Sequence, residues 1–352
     1  MTSCFEPPLI TEGLPGTCGR LRESFGDFVV EELPVFEPSG EGEHIFVNLT
    51  REGLTTRDLA RKLTSLFGLR MVDIGYAGLK DKYARSTQTF SIPLTNPNQD
   101  SIEEAVKMID EKLPVAVNWA RLHNRKLRPG QLLGNRFMIT ITKLKLHRDE
   151  ALERALAVAD RLREVGLPNY YGPQRVSVDG KNLRRGFEII KGRRRVKERW
   201  LRRYLVNSFL SQVCNRYLTR RVESGAFLRL LQGDIAKKYA TGGMFVVEDL
   251  DAEQARYEAK EISFTAPVFG PRMWAAEGPS GELEREILTE AGITLEELGR
   301  LGVRGSRRLG RLIPDLSTTL VDKGLRLEFS LPKGAYATNV LREIMKPEDG
   351  NL

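Results

Sequence analysis

The segment YAGLKDKYARSTQTF, Tyr76 to Phe90, sets an aspartate between two lysines where an apolar run ends. Lys80 and Lys82 flank Asp81 in the sequence, and neighbouring cations favour an ionised carboxylate. An ionised carboxylate can act as a nucleophile. Composition alone favours a plainer reading, a charged surface turn with a screened ion pair.

Most other chemistries lack their residues. There is no GxxxxGK[ST] loop, no GxGxxG after a strand, no HExxH and no GxSxG. The SxxK spacing from Ser330 to Lys333 has no companion motif and is read as coincidence. Cys4, Cys18 and Cys214 are odd in number and widely spaced, which supports neither a disulfide framework nor a thiolate zinc site. His44, His123 and His147 are scattered, so a transition-metal centre is not expected. The zinc deaminases of nucleobases are set aside on the same ground.

Charge points to a polyanion. The formal net charge is +8, and the sequence pI is about 9.4, which suits a polyanionic partner. The run KGRRRVKERWLRR, from Lys191 to Arg203, holds one acid, and RLHNRKLRPG, from Arg121 to Gly130, holds none. Arg193, Arg194 and Arg195 in the first run, Arg125, Lys126 and Arg128 in the second, and Lys80 and Lys82 are the candidate backbone-phosphate contacts. The competing reading is a pair of solvated faces.

These groups need a scaffold. At 352 residues, 41% hydrophobic and 29% charged, the chain has an ordinary globular composition and enough length for two cores. No apolar run approaches the ~20 residues of a membrane span. The opening MTSCFEPPLITEGLPG has no basic or apolar signal region, so a cytoplasmic protein is expected. Alternation predicts strands in GDFVVEEL, with Phe28 and Val30 on one face, and in EHIFVNLTREG, with Ile45, Val47 and Leu49 on one face. Thr55 or Thr56 can cap a helix striped by Leu59, Leu63, Leu66 and Phe67 and ended by Gly68. Further strands are predicted in MVDIGYAG, TQTFSIPL and GNRFMITIT, then a helix with Leu152, Ala155, Leu156, Ala159 and Leu162 at helical spacing. Past LPNYYGPQRV the chain turns richer in helix, the longest in KERWLRRYLVNSFLSQVCNRYL, until about Arg308. LRLEFSLP returns to strand and ATNVLREIM closes in helix. The pattern predicts an α+β domain with a mixed or antiparallel sheet, formed by 1–168 and 309–352 and interrupted by an inserted α+β domain at 169–308.

AGLKDKYARSTQ resembles the catalytic motif of the TruD family of tRNA pseudouridine synthases. Other motifs of that family recur in order: FGDFVVEE, LRPGQLLGNRFMI, LPNYYGPQRV, LVNSFLSQVCNRYL and SLPKGAYATNVLRE. The resemblance runs from about Gly19 to Met345 and implies roles by position. Asp81 stands at the nucleophile. Phe28, Asn135 and Tyr336 stand where the family lines the uracil pocket, and Phe137 at the ring beside the target base. Arg22 stands at the cation near the nucleophile. Some relatives carry Phe in place of Tyr336. Taken alone, Phe28 and Phe137 would be read as strand core, Asn135 as a turn residue and Arg22 as a surface charge.

The implied reaction breaks uracil N1 from ribose C1′, turns the base and joins C5 to C1′. It is redox-neutral and uses no second substrate, so no cofactor and no metal are expected. The implied partner is tRNA, modified at uridine 13 of the D arm by a monomer. The enzyme must take the nucleotide out of its stack. Two rival readings stand beside this one. One is a non-catalytic tRNA-binding protein, against which Asp81, Asn135 and Phe137 speak. The other is a different RNA enzyme, a methyltransferase or a synthase for another RNA. A methyltransferase would show a glycine-rich cofactor loop.

Overall fold

Alternating side chains set the first half of the chain. The computed structural model describes residues 7–176 and 180–347. Cys4 and the outer ends of the expected domain bounds lie outside them. The elements in order are β1 (Phe28–Pro34), β2 (His44–Arg51), α1 (Thr56–Phe67), β3 (Gly75–Tyr76), β4 (Arg85–Pro93), α2 (Gln99–Lys112), β5 (Val115–His123), β6 (Leu132–Thr142) and α3 (Arg148–Val165). Then follow β7 (Leu167–Pro168), α4 (Pro173–Val176), α5 (Lys181–Ile190), α6 (Arg199–Glu223), β8 (Ile235–Lys238), β9 (Met244–Val246), α7 (Leu250–Glu258), β10 (Ile262–Val268), α8 (Gly278–Glu290), α9 (Leu295–Arg300), β11 (Ser306–Leu309) and β12 (Arg311–Leu312). The chain closes with β13 (Ser317–Val321), β14 (Gly324–Pro332) and α10 (Ala337–Met345). Among the described residues no helix is long and apolar enough to cross a membrane.

The chain folds as two compact units. The sheet unit comprises Thr17–Leu156 and Asp315–Gly334. Its strands run in the order β13-β14-β6-β1-β4-β2-β5, with β3 on β4. β1 and β4 are parallel and the other pairs antiparallel, so the sheet is mixed. Paired residues share a face. Phe329, Phe137, Val30, Ser86 and Arg51 therefore form one row across five strands. The neighbouring row carries Leu331, Asn135 and Glu32. α1 and α2 cover this sheet beyond those rows, where Ile45, Val47, Leu49, Phe90 and Ile92 pack against Leu59, Leu63, Ala105 and Ile109. Thr55 caps α1 as expected: its Oγ1 accepts from the Asp58 N–H at 3.1 Å, and Asp58 accepts back from Thr55. Gly68 ends the helix at φ 65°, a left-handed cap.

The other unit holds the described residues of Met1–Gly16, Ala157–Pro314 and Ala335–Asn351. α6 is its spine. Leu205, Phe209, Val213 and Tyr217, spaced four apart, are buried, and the four-stranded sheet β11-β10-β8-β9 contributes Ala236, Phe264 and Ala266 to the same core. The described residues of 335–351 fold with this unit, whereas the sequence pattern placed 309–352 with the sheet.

Several local expectations need correction. MVDIGYAG yields only the two-residue β3, because 71–73 form a turn. Val115–His123 is a strand at the sheet edge, so the acid-poor run from Arg121 begins in sheet. The buried stripe of α3 is Ala151, Ala155, Val158, Ala159 and Leu162, with Leu156 exposed. The segment 169–308, expected as α+β, contains β8, β9, β10 and most of β11, whose places the short, interrupted apolar runs did not mark.

Candidate active site

The loop between β3 and β4 carries Asp81. Side chains alternate along it: Lys80 turns inward and Asp81 outward, its side chain 51% exposed. The flanking lysines therefore do not act as a pair on the carboxylate. Arg22 does approach it, with Nη2 at 3.7 Å from Asp81 Oδ2. Its guanidinium also lies 4.4 Å from the Phe28 ring centroid, a cation–π distance. Arg22 adopts φ 61°, a left-handed conformation uncommon for a residue with a side chain. Such conformations cost ~1–3 kcal/mol and gather at functional sites.

The sheet beneath supplies the other expected residues. Phe28 and Phe137 are both buried, and Phe137 stacks on Phe329 with centroids 5.3 Å apart. Asn135 lies one row over, opposite Glu32. Its Oδ1 is buried and accepts no hydrogen bond from the described residues. Buried polar atoms are nearly always partnered, so this one is a candidate contact for a ligand N–H. Gly134 lets β6 run close to β14: a Cβ there would stand 2.1 Å from the Leu331 carbonyl oxygen.

Lys80 departs from its expected role. Its side chain and that of Glu32 are each 4% exposed, and Nζ donates to Glu32 Oε2 at 2.6 Å. A phosphate cannot reach an ammonium so enclosed. Burial pushes the Lys80 ammonium below the usual lysine range, and Glu32 opposes that shift. Lys82, Arg125 and Arg128 are exposed, whereas Lys126 is half-buried and donates to the Val72 carbonyl. Glu32, Arg51, Thr56 and Gln88, which surround Lys80, were not foreseen. Their signal was present: each of the three strand residues extends the inward-facing stripe of its strand with a polar group.

Tyr336 belongs to the other unit, at the N-cap of α10. Its ring meets Tyr171 edge-on at 6.1 Å. The Arg308 guanidinium lies 4.1 Å from the Tyr171 centroid and 6.0 Å from that of Tyr336. Gly172 makes room, since a Cβ would stand 3.0 Å from Tyr336 Cδ1. Tyr170 is buried in the helical core, and the Tyr171 backbone is held by both amide atoms of Asn215, in keeping with packing roles. Burial pushes the Tyr336 hydroxyl above the usual tyrosine range. The ring makes every aromatic contact described, so Tyr336→Phe is expected to keep turnover within ~3-fold, a packing-conserving change. A larger loss in single-turnover assays would give the hydroxyl a role of its own.

In the basic run, Arg194 pairs with Glu188 at 2.6 Å and Lys191 with Glu297 at 2.6 Å. Arg193 and Arg195 are exposed. Cys18 and Cys214 are free thiols, and burial pushes the Cys214 thiol up to about 12. Among the described residues no three His, Cys, Asp or Glu side chains gather as a metal site.

The chain is thus α+β in two compact units, and its sheet unit carries an outward aspartate beside an arginine. The family model described as tRNA pseudouridine synthase D (TruD) matches residues 8–196 and 181–344. The chain is 41% identical over 342 residues to a tRNA pseudouridine synthase D of Thermus thermophilus, covering 97% of this chain and 92% of that protein. It is 37% identical over 351 residues to the protein of the same name from an Anaeromyxobacter species, covering 97% and 96%. Its structure is similar to the crystal structure of a protein assigned as tRNA pseudouridine synthase D from Methanosarcina mazei, with TM-score 0.76, 25% identity and 96% of each chain covered. The chain belongs to the tRNA pseudouridine synthase D (TruD) family.

Proposed function

We propose that this protein isomerises uridine to pseudouridine in tRNA, at position 13 of the D arm, with Asp81 as nucleophile. The observation that carries this reading is the outward Asp81 carboxylate beside Arg22, which itself stacks on Phe28. Arg22 sets a positive charge beside the reacting group. Phe28 and Phe137 shape the apolar floor, and the buried Asn135 Oδ1 suits the uracil N3–H, which would donate to it. The N1–C1′ bond breaks, the base turns, C5–C1′ forms, and the C5 proton leaves as N1 gains one. Tyr336 keeps the uracil-pocket role that its family position implies. The chain is read as a catalytic domain, 1–168 and 309–352, interrupted by an RNA-binding insertion at 169–308, acting as a cytoplasmic monomer. Incubation with unmodified tRNA and chemical mapping of pseudouridine tests activity and position together. Absence of product at every uridine would refute the reading, and product elsewhere would refute position 13.

The reaction draws no step from a metal or nucleotide. Turnover is therefore expected to persist in excess EDTA with no added nucleotide, on tRNA folded beforehand. A strict divalent requirement would count against it.

The basic run is proposed as an RNA-backbone surface, carried mainly by Arg193 and Arg195, since Arg194 is tied to Glu188. Neutralising Arg193, Arg194 and Arg195 together is expected to weaken tRNA binding and flatten its salt dependence, by roughly 0.7–0.9 in log–log slope per lost phosphate contact. Turnover at saturating tRNA should change far less. An unchanged salt slope would move the search to Lys82, Arg125, Lys126 and Arg128.

A further inference from the structure

Beneath the Asp81 loop lies a polar chain in positions where a sheet normally buries apolar groups. Glu32 follows Phe28 and Val30 on the inward face of β1. Arg51 follows Ile45, Val47 and Leu49 on β2. Gln88 precedes Phe90 and Ile92 on β4. Arg51 is 2% exposed and Gln88 fully buried. Every atom of the Gln88 amide is used. Nε2 donates to Glu32 Oε2 at 3.1 Å and to the Gly78 carbonyl at 2.7 Å. Oε1 accepts from Thr56 Oγ1 at 3.0 Å and from Arg51 Nη2 at 3.2 Å. The Thr56 hydroxyl also accepts from the Lys80 N–H at 2.8 Å and from Arg51 Nη2 at 3.0 Å.

The loop is thus tied at three points: the Gly78 carbonyl, the Lys80 N–H and the Lys80 ammonium. The residues between and after them, Leu79 and Asp81, face outward. Gly78 leaves room for the ion pair, since a Cβ there would stand 3.1 Å from Glu32 Oε2 and 3.2 Å from Lys80 Nζ. A buried charge network is poor evidence of stabilisation, because apolar replacements are often as stable. It does fix geometry, since each hydrogen bond is directional and the Gln88 amide at its centre has all of its partners.

We propose that Gln88, Thr56 and the Glu32–Lys80 pair are positioning residues that set the register of this loop and so present the Asp81 carboxylate at the reacting carbon. Gln88 is their hub. It touches no substrate and acts through the loop backbone. The inference rests on the proposed function of Asp81.

The test is steady-state kinetics on unmodified tRNA for the wild type, Gln88→Met, Thr56→Val, Glu32→Gln and Glu32→Ala, each with a thermal unfolding curve. Gln88→Met keeps length and apolar bulk but loses four hydrogen bonds. Its kcat is expected to fall ~10–100-fold, the cost of misplacing a reacting group by about an ångström. KM for tRNA should stay within about threefold, because no phosphate-facing charge changes. Glu32→Gln keeps both the shape and an oxygen to accept from Lys80, and should retain more turnover than Glu32→Ala; the hydrogen bonds are separated from packing by Gln88→Met and Thr56→Val, which keep bulk and lose only polar contacts. If Gln88→Met loses its cooperative unfolding, Thr56→Val carries the same kcat test, since it keeps the branched shape and removes only the hydroxyl. Wild-type kcat in the folded Gln88→Met or Thr56→Val variant would overturn the positioning role alone. So would kcat and KM shifting in proportion. A wild-type protein that makes no pseudouridine would overturn the proposed function and the role with it.

Discussion

Asp81→Asn and Asp81→Ala are expected to abolish pseudouridine formation while leaving tRNA affinity nearly intact. Removing a covalent nucleophile leaves only binding and orientation, so a loss of at least ~10³-fold in single-turnover rate is expected. Affinity should change by less than ~3-fold, because phosphate contacts dominate it and Asp81 supplies none. The sign of any change can be stated. Both substitutions remove one negative charge beside Arg22, so binding to a polyanion should hold or tighten. The fold should be unaffected, since the Asp81 side chain is half-exposed and the loop is anchored through Gly78 and Lys80. Asn is the sharper of the two variants, as it keeps shape and hydrogen-bonding capacity and removes the charge. Appreciable turnover by either would take Asp81 out of the role. A large loss of affinity would mean the carboxylate shapes the RNA site.

The sequence placed the candidate site residues in their strands better than it showed their surroundings. Phe28, Asn135 and Phe137 lie on strands whose alternation was plain, and the register brings all three to one sheet face. Thr55 and Gly68 marked the ends of α1 because capping is a local effect. The role of Lys80 was misjudged because adjacency in a loop says nothing of direction. Residues 80 and 81 point opposite ways, and the partner that decides this, Glu32, is 48 residues away. Gln88 and Arg51 read as polar strand residues, and only the pairing of β2, β4 and β1 turns them into one network. The strands of the helical middle stayed hidden for a related reason. β8, β9 and β11 have three or four residues each, too few for a period of two to show.

The second large effect lies far along the chain, at Asp234. Arg221 and Asp234 are both 0% exposed and meet in a bidentate pair, Nη1 to Oδ1 at 2.9 Å and Nη2 to Oδ2 at 3.1 Å. Arg221 also donates to the carbonyls of Ala226 and Arg229, each at 3.0 Å, and lies 4.0 Å from the Phe264 centroid. Asp234 accepts from Ser280 Oγ at 2.5 Å and from the Leu231 N–H at 2.8 Å. Burial acts against the Arg221 charge, and the Asp234 carboxylate outweighs it, holding the guanidinium above its usual range. Asp234→Ala strips that partner from a cation that cannot reach water. Breaking a buried pair from one side costs about 3–5 kcal/mol, a large share of the ~5–15 kcal/mol that stabilises a typical protein. Chemical denaturation should show that loss. Replacing both partners, as Arg221→Met with Asp234→Leu, removes the stranded charge but should recover only part of it. The carbonyls of Ala226 and Arg229 and the N–H of Leu231 would then lose partners at about 1–3 kcal/mol each. A double variant as stable as the wild type would show that water or rearranged backbone satisfies those groups. An Asp234→Ala variant with unchanged stability would show that the pair does not hold the turn between α6 and β8.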